Sequence, residues 1–226
     1  MIESVSVEEW NKIYNSTDGL SRYPHDSVVR WTIVNFKNVL NTNPKFLDLG
    51  CGGGRHSIFL AQLGCNVSAI DYSSNAIDIA KKWADKENLN INFDVCAATT
   101  LPYEDSVFDG IISYGVFCYL SLNEIKQSII ELNRVLKPGG KLFLVTRTTE
   151  DSRYLNGGII SANQAIVTGD SEVPWQTEIG MKMLFMTKSD ITKFFKVFNS
   201  VNIEHQSFTM CSEKYINDDW IISATK

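Results

Sequence analysis

The stretch FLDLGCGGGRHSIFLA, residues 46–61, decides the fold of this chain. A short apolar run ends at Asp48, and four glycines follow between positions 50 and 54. Each glycine costs about 0.5–1 kcal/mol relative to alanine in regular structure, so the cluster needs a local reason such as positive φ or close approach of the backbone to a ligand. The stretch therefore predicts a strand, a bend that receives a nucleotide-like ligand, and a helix after the bend.

The composition is ordinary for a globular protein. The chain has 226 residues, of which 44% are hydrophobic and 21% charged, enough for one sizeable core in one domain. Its net charge of -5 disfavours a polyanionic partner, because nucleic-acid affinity rests mainly on clustered Lys and Arg. We therefore expect a small-molecule partner and no nucleic acid.

The cysteines are odd in number and scattered. They form no C-x-x-C pair and have no histidine at metal-binding spacing, which predicts free thiols in a reducing compartment and no metal. The first ten residues lack a basic region followed by an apolar one, and no apolar run approaches the roughly 18 residues of a membrane helix. The sequence thus predicts a soluble, cytoplasmic protein without a membrane partner. The cysteines are Cys51, Cys65, Cys96, Cys118 and Cys211.

Short β-branched runs alternate with amphipathic helical ones from position 46 onward, which is typical of a parallel sheet built from βαβ units. Two capping boxes, Ser121 with Glu124 and Thr187 with Asp190, indicate helix starts. A turn at 138–140 is expected between a helix and the strand KLFLVT. The predicted strands are KFLDL, NVSAI, INFDV, FDGIIS, KLFLVT, SVNIEH and DDWIISAT.

The alternation lapses after Thr146 for about forty residues rich in Gly, Ser, Thr and Asn, and a loop of that length is more often functional than idle. We interpret the chain as one domain, 1–226. Residues 1–40 are expected to form an N-terminal helical lid, and residues 148–186 an inserted segment on the substrate side. Recognition residues concentrate in such segments.

The glycine bend and Asp71 suggest how a nucleoside would bind. In an open parallel sheet, ligands bind beyond the carboxyl ends of the strands. Asp71 ends the second strand, where its carboxylate can accept both hydroxyls of a ribose. Two alternatives stay open: the glycines only make a tight turn, and Asp71 only caps a helix beginning near Ser74. A dinucleotide site would want G-x-G-x-x-G, and Arg55 stands at the sixth position from Gly50.

Four motifs together extend the pattern: LDLGCGGGRHS, AIDYS, LPYEDSVFDGIIS and ELNRVLKPGGKLFLVT. In this order they resemble the class I S-adenosylmethionine-dependent methyltransferases. The resemblance implies a doubly wound, mostly parallel seven-stranded Rossmann-like sheet whose last strand, DDWIISAT, is antiparallel. The segments EEWNKIYN and RYPHDSVVRW look like the N-terminal helices that close over the cofactor in small bacterial members.

The resemblance also implies a set of cofactor contacts. Residues of the glycine bend would line the methionine part, Asp71 would hold the ribose, and Tyr72 would flank the adenine. Many members have an acidic residue where this chain has Ala97, so a backbone amide there or another side chain, such as Asp94, would serve the adenine. The cofactor-binding set is Arg22, Asp48, Gly50, Cys51, Gly52, Asp71, Tyr72, Ala97 and Ser113, with Arg22 as the partner of the cofactor carboxylate.

For single residues near the expected acceptor, a structural role is an alternative to a functional one. His56 and His205 suit structural or solvated roles, and His25 leaves both roles open. Tyr114 follows the fourth strand in a segment that is equally a packed core, and Arg147 equally makes a salt bridge. The predicted acceptor contacts are Tyr23, His25, Tyr114 and Arg147. Trp10 and Tyr14 share a helical face, either as core contacts or in the lid.

The resulting hypothesis is transfer of a methyl group from S-adenosyl-L-methionine to an O, N or S atom of a small molecule by in-line displacement. No catalytic residue is required, since positioning alone can lower the barrier by roughly 7–11 kcal/mol. The alternatives are an aminopropyl transferase, a catalytically silent cofactor-binding protein, and an NAD-dependent reductase, which Arg55 disfavours. The sequence predicts neither the acceptor nor the oligomeric state.

Overall fold

A computed structural model describes residues 5–16 and 21–226. The helices are α1 Val7–Ser16, α2 Asp26–Phe36, α3 Arg55–Gln62, α4 Ser74–Lys86, α5 Leu122–Val135, α6 Ser152–Leu155 and α7 Lys188–Phe194. The strands are β1 Lys45–Leu49, β2 Asn66–Asp71, β3 Ile91–Val95, β4 Phe108–Tyr114, β5 Leu136–Arg147, β6 Gly158–Ser161, β7 Gln164–Ile166, β8 Lys182–Leu184, β9 Ser200–Met210 and β10 Tyr215–Thr225. Positions 1–4 and 17–20 of the predicted lid lie outside the described residues.

Seven strands form the central sheet in the order β3-β2-β1-β4-β5-β10-β9. The pairs from β3 through β5 are parallel, and β10 runs antiparallel to both of its neighbours. This order confirms the predicted mostly parallel, seven-stranded sheet with an antiparallel last strand. It brings the carboxyl ends of β1, β2, β4 and β5 to one edge, where ligands bind in open α/β sheets.

Helices cover both faces of the sheet. On one face Ile129 of α5 and Ile191 of α7 are fully buried with sheet residues such as Leu47. On the other, Val28 of α2 and Leu60 of α3 pack in the same way. Each large apolar side chain buried in these layers contributes about 1.5–3 kcal/mol, so the two layers hold the sheet edge in a fixed shape.

Both predicted capping boxes are present. The Ser121 hydroxyl accepts the Glu124 N–H at 3.3 Å at the start of α5, and the Thr187 hydroxyl accepts the Asp190 N–H at 3.2 Å at the start of α7. In each box the acidic side chain accepts the N–H of the capping residue in return. Such a cap stabilises a helix by about 1 kcal/mol, which explains why both helices begin where the sequence indicates.

The turn predicted at 138–140 lies inside a strand. β5 begins at Leu136, which pairs with Phe108, and the next pair joins Lys141 to Gly110. The residues between the two pairs therefore form a bulge, in which Gly139 has φ +77°. Extra residues of this kind fit within a ladder where glycine allows a left-handed conformation.

The inserted segment 148–186 has more regular structure than its sequence suggests. It contains α6 and a three-stranded antiparallel sheet in the order β6-β7-β8. These strands have three or four residues, too few for the alternation of apolar and polar positions to show. Ala165 and Phe185 are fully buried in a separate cluster with Cys118, so the segment packs against the turn that follows β4.

Candidate functional site

A cavity of about 480 Å³ opens at the carboxyl edge of the parallel strands. This volume is within the usual range for small-molecule sites, about 300–1,000 Å³. The walls come from several segments: Val5, α1, the glycine bend, the end of β2, positions 96–99, positions 114–120, Glu124 and Arg147. No residue between 148 and 186 is part of the wall, so the inserted segment supports the turn after β4 from behind.

The glycine bend is a place of close approach. Gly50 has φ +70°, and a Cβ on it would lie 2.2 Å from Val116 Cγ2. Gly52 has φ +53°, and a Cβ on it would lie 2.5 Å from the Tyr14 hydroxyl. The N–H groups of Gly50 and Cys51 donate to the Ile70 carbonyl at 2.8 and 2.9 Å. The bend is thus fixed against β2, with cavity-lining side chains directly above it.

The Asp71 carboxylate lies in the cavity wall and is nearly buried. It accepts the Gly52 N–H at 2.8 Å and the Ser73 N–H at 2.9 Å. Burial raises its pKa above the ordinary value, and those two N–H groups oppose the shift. The cap of α4 is Ser73, whose hydroxyl accepts the Ala76 N–H at 3.2 Å. Asp71 is therefore not the N-cap of α4. A carboxylate has about four acceptor positions, and the bonds from the Gly52 and Ser73 N–H groups occupy two of them on Asp71.

Asp48 and Ser113 are both buried and outside the cavity wall. The Ser57 hydroxyl donates to Asp48 at 2.5 Å, and burial raises the pKa of Asp48 to about 6. The Ser113 hydroxyl has no hydrogen-bond partner among the described residues. Cys51 and Gly52 instead line a smaller cavity of about 220 Å³ beside the main one.

The side of the cavity near β2 and β3 suits a nucleoside base. Tyr72 is half exposed at its rim, and residues 96–99, with the predicted Ala97, form the wall. The Cys96 thiol donates to the Thr100 carbonyl at 3.0 Å. Asp94 is not part of this wall; it faces outward and accepts the Tyr103 hydroxyl at 3.4 Å. The backbone and Thr99 are left as polar groups for an adenine.

Two predicted residues lie away from the cavity. The Arg22 guanidinium stacks on the Trp83 ring, 5.1 Å from its centroid, and the Tyr23 side chain is 83% exposed. The cation that the cavity contains near the glycine bend is Arg55. In the sequence, Arg55 stands out only as a departure from a dinucleotide motif. Its position directly after the bend is the signal that could have identified it.

An aromatic and histidine cluster surrounds Tyr114 at the end of β4. The His25 ring lies 4.6 Å from the Tyr114 ring between centroids, and Arg55 lies 5.3 Å from the same ring on one face. His56 Nε2 accepts the His25 backbone N–H at 3.3 Å. Burial and the Arg55 charge lower the pKa of His56 to about 3 and also lower the pKa of His25. Both imidazoles are therefore neutral near pH 7.

Arg147 belongs to a buried polar network and to the cavity wall. Its Nη1 lies 2.8 Å from Asp219 and 3.7 Å from Asp151, and it donates to Asn217 Oδ1 at 2.6 Å. Arg147 thus forms the salt bridge that the sequence left open as an alternative, and this salt bridge lies in the protein interior. Arg153 of the inserted segment shares Asp151, so the network ties this segment to β5 and β10.

Helix α1 closes one side of the cavity. Trp10 packs edge-on against Tyr119 with 4.7 Å between centroids, and both line the cavity together with Tyr14. The Ser73 hydroxyl donates to Asn11 Oδ1 at 2.6 Å, and Asn75 Nδ2 donates to the Asn11 carbonyl at 3.0 Å. The helix is therefore attached to the start of α4 on one side of the cavity and to the turn after β4 on the other.

The fold and this site define an α/β protein with a nucleoside-sized cavity. A family model described as a methyltransferase domain matches residues 47–144. The chain is 30% identical over 161 residues to a ubiquinone biosynthesis O-methyltransferase of Rickettsia prowazekii, covering 70% of this chain and 62% of that protein. It is 34% identical over 111 residues to the probable methyltransferase TehB of Haemophilus influenzae, covering 47% and 37%. The chain thus spans less than two thirds of these curated relatives.

A solved structure agrees with these matches. A methyltransferase of Methanosarcina mazei is 25% identical, with a TM-score of 0.66 over 83% of this chain and 95% of that one. These matches and the fold support the class I S-adenosylmethionine-dependent methyltransferases, the family that the motifs resemble. Within the described ranges 5–16 and 21–226, no helix is long and apolar enough to cross a membrane, and no acidic, histidine or cysteine cluster suits a metal.

The residues present fit the cofactor of this family. Asp71 offers free acceptor positions at the cavity wall. The bend around Gly50 approaches the cavity without side chains of its own, and the wall at 96–99 supplies backbone donors and acceptors. Aromatic rings of α1 line the same cavity. A small number of polar groups placed in a mostly apolar wall is the usual form of a small-molecule site.

Proposed function

We propose that this chain transfers a methyl group from S-adenosyl-L-methionine to an O, N or S atom of a small-molecule acceptor by in-line displacement. The single observation that carries the proposal is the Asp71 carboxylate, which faces the cavity beside the glycine bend. When bound, the cofactor supplies a methyl group already activated on a sulfonium. No metal ligand or covalent nucleophile is then needed from the chain.

The side chains around the cavity have distinct tasks in this proposal. Asp71 binds the ribose, Tyr72 flanks the adenine, and the bend at Gly50 and Gly52 borders the methionine part. The buried Asp48 accepts the Ser57 hydroxyl and so joins the end of β1 to α3, whereas the buried Ser113 hydroxyl at the end of β4 has no hydrogen-bond partner among the described residues. Arg22 leaves the proposed cofactor set because it stacks on α4.

The acceptor side is proposed near Tyr114 and Arg147, where the cavity continues beyond the bend. The His25 ring is not among the residues that line this cavity; it packs against Tyr114 and is proposed to position that ring. Trp10 and Tyr14 exclude water above these groups. The N-terminal segment is the proposed lid, and residues 148–186 are proposed to shape the acceptor side by holding Tyr119, whose hydroxyl donates to Glu178 at 2.8 Å.

Calorimetry with S-adenosylhomocysteine, the demethylated cofactor, tests the proposal. We expect Asp71→Ala to weaken binding by at least about tenfold, equivalent to about 1.4 kcal/mol. Asp78→Ala, which removes an exposed carboxylate from α4, is the matched control and should bind as the wild type does. Asp71 also accepts two backbone N–H groups, so its loss can destabilise the fold. Thermal unfolding of both variants therefore shows whether weaker binding comes from the lost ligand contact or from a destabilised protein. Unchanged affinity in a folded Asp71→Ala protein would refute the role of this carboxylate.

A further inference from the structure

Arg55 is the cation of the cavity that has no directly bonded carboxylate among the described residues. Its side chain is half-buried and lines both the main cavity and the smaller one beside it. In the part of the chain that the structure describes, Arg55 forms neither an ion pair nor a hydrogen bond: its guanidinium lies over the Tyr114 ring, and its charge acts only through space on the buried Asp48, where it opposes the rise in pKa that burial causes. A guanidinium removed partly from water without an anionic partner carries a desolvation cost that a bound anion would offset.

The second arginine of the cavity differs from Arg55 in this respect. Arg147 lies between the carboxylates of Asp219 and Asp151, so its charge is compensated within the protein. Helix stability does not explain Arg55 either, because it occupies the first position of α3, where the helix dipole favours acidic residues. Among the described residues, Arg55 is therefore the arginine of the cavity wall that has no carboxylate within ion-pair distance.

The strand order separates the two ends of the cavity. Positions 96–99 follow β3, and Asp71 ends β2, whereas Tyr114 and Arg147 end β4 and β5 on the other side of β1. Arg55 follows β1 in the middle, and its guanidinium lies over Tyr114. The Arg55 guanidinium therefore lies on the side of the cavity where the acceptor is proposed, away from the nucleoside end.

We propose that Arg55 binds a carboxylate of the methyl acceptor, so that the acceptor is a small monoanionic molecule. This inference rests on the proposed methyltransferase function. Arg55 and the Tyr114 ring form the anion-binding part of the acceptor site, and Arg147 borders it with its charge already paired. A carboxylate at Arg55 is a positioning contact that leaves the methylated atom of the acceptor elsewhere in the cavity. The same carboxylate chemistry also exists in the methionine part of the cofactor, and the experiment distinguishes the two sources.

The first measurement is calorimetry with S-adenosylhomocysteine on wild type, Arg55→Gln and Arg30→Gln. Arg30 is an exposed arginine of α2 and serves as the control. If Arg55 serves the acceptor, Arg55→Gln binds within about threefold of wild type, a difference below 1 kcal/mol. A loss of about tenfold or more places the cofactor carboxylate on Arg55 and overturns the proposal. Absence of binding by wild type refutes the proposed function itself, which is a separate failure.

The second measurement identifies the charge of the product. Tritium from the methyl group of S-adenosylmethionine is followed into a small-molecule extract of bacterial cells, and the labelled product is applied to an anion exchanger. A carboxylate is retained near pH 7 and released near roughly pH 3. We expect this behaviour, at least about tenfold less label with Arg55→Gln, and partial recovery with Arg55→Lys. A labelled product that is not retained, or no labelled product from a protein that binds S-adenosylhomocysteine, overturns the proposal.

Discussion

His56 shows how one buried residue couples the glycine bend to the segment before α2. Its Nε2 accepts the backbone N–H of His25, which requires a neutral ring. The sequence predicted a structural role for His56 from its place in the first turn of α3, and the hydrogen bond confirms that role. The partner was not predictable, because the bond joins residues 31 positions apart.

We expect His56 to make stability fall in acid. Its pKa is lowered to about 3 in the folded protein, whereas the unfolded chain protonates it near 6.5, so the unfolded state binds more protons at pH values between these two. The stability it contributes is therefore present above about pH 6.5 and declines toward pH 3. Urea unfolding at pH 7 and pH 5 should show about 2 kcal/mol more loss for wild type than for His56→Gln, from 1.36 kcal/mol per pH unit.

The comparison between the two proteins removes the contribution of Asp48. The pKa of Asp48 is raised to about 6 by burial, so protonation in mild acid stabilises the folded state and opposes the effect of His56. Both proteins contain Asp48, so its contribution cancels in the difference. Parallel stability curves for wild type and His56→Gln would show that His56 is not held neutral.

At the scale of single elements, the helices and strands that build the sheet were predictable, since their apolar periodicity and caps are local. Helix α1 illustrates the limit. The sequence placed Trp10 and Tyr14 on one helical face, and the structure places both in the cavity wall. The polar attachment of α1 to α4 escaped prediction, because the Asn75 amide donates to Asn11 and Asn15 across 64 and 60 positions, respectively.

This attachment yields a prediction for α1. Asn75→Ala removes two hydrogen bonds that hold α1 over the cavity, each worth about 0.5–1.5 kcal/mol. We expect amides of α1 to exchange faster with deuterium and S-adenosylhomocysteine to bind several-fold more weakly, while global stability changes little. Asn92→Ala, at an exposed position of β3, is the control and should change neither measurement. Unchanged exchange in α1 of the Asn75→Ala protein would contradict the attachment.

At the scale of the whole molecule, the order of the strands follows from the motifs, but the role of the inserted segment does not. Its composition indicated a long functional loop, whereas its strands are too short for a periodic signal, and their burial depends on distant residues. Val167 and Trp175 are buried with Tyr215 of β10, a contact that joins separate parts of the chain. The segment is an integral part of the folded domain.

Val167 tests this integration. Because its side chain is fully buried, Val167→Ala should lower the free energy of unfolding by about 2 kcal/mol through lost burial and the cavity that remains. Ile159→Ala, at an edge-strand position that is 55% exposed, removes a larger side chain and should cost less than about 0.5 kcal/mol. Urea unfolding measures both values. Equal, small effects at the two positions would mean that the segment contributes nothing to the stability of the domain.

Native mass spectrometry of the purified chain, incubated with equal concentrations of S-adenosylmethionine and NADH, tests whether the cavity binds the proposed cofactor. Asp71, the glycine bend and the wall at 96–99 line one cavity, which we propose as the nucleoside site, and the sixth position of the glycine pattern is Arg55 rather than glycine. We expect one bound S-adenosylmethionine per chain and no bound NADH. A chain that retains NADH, or that binds neither molecule, would contradict this expectation.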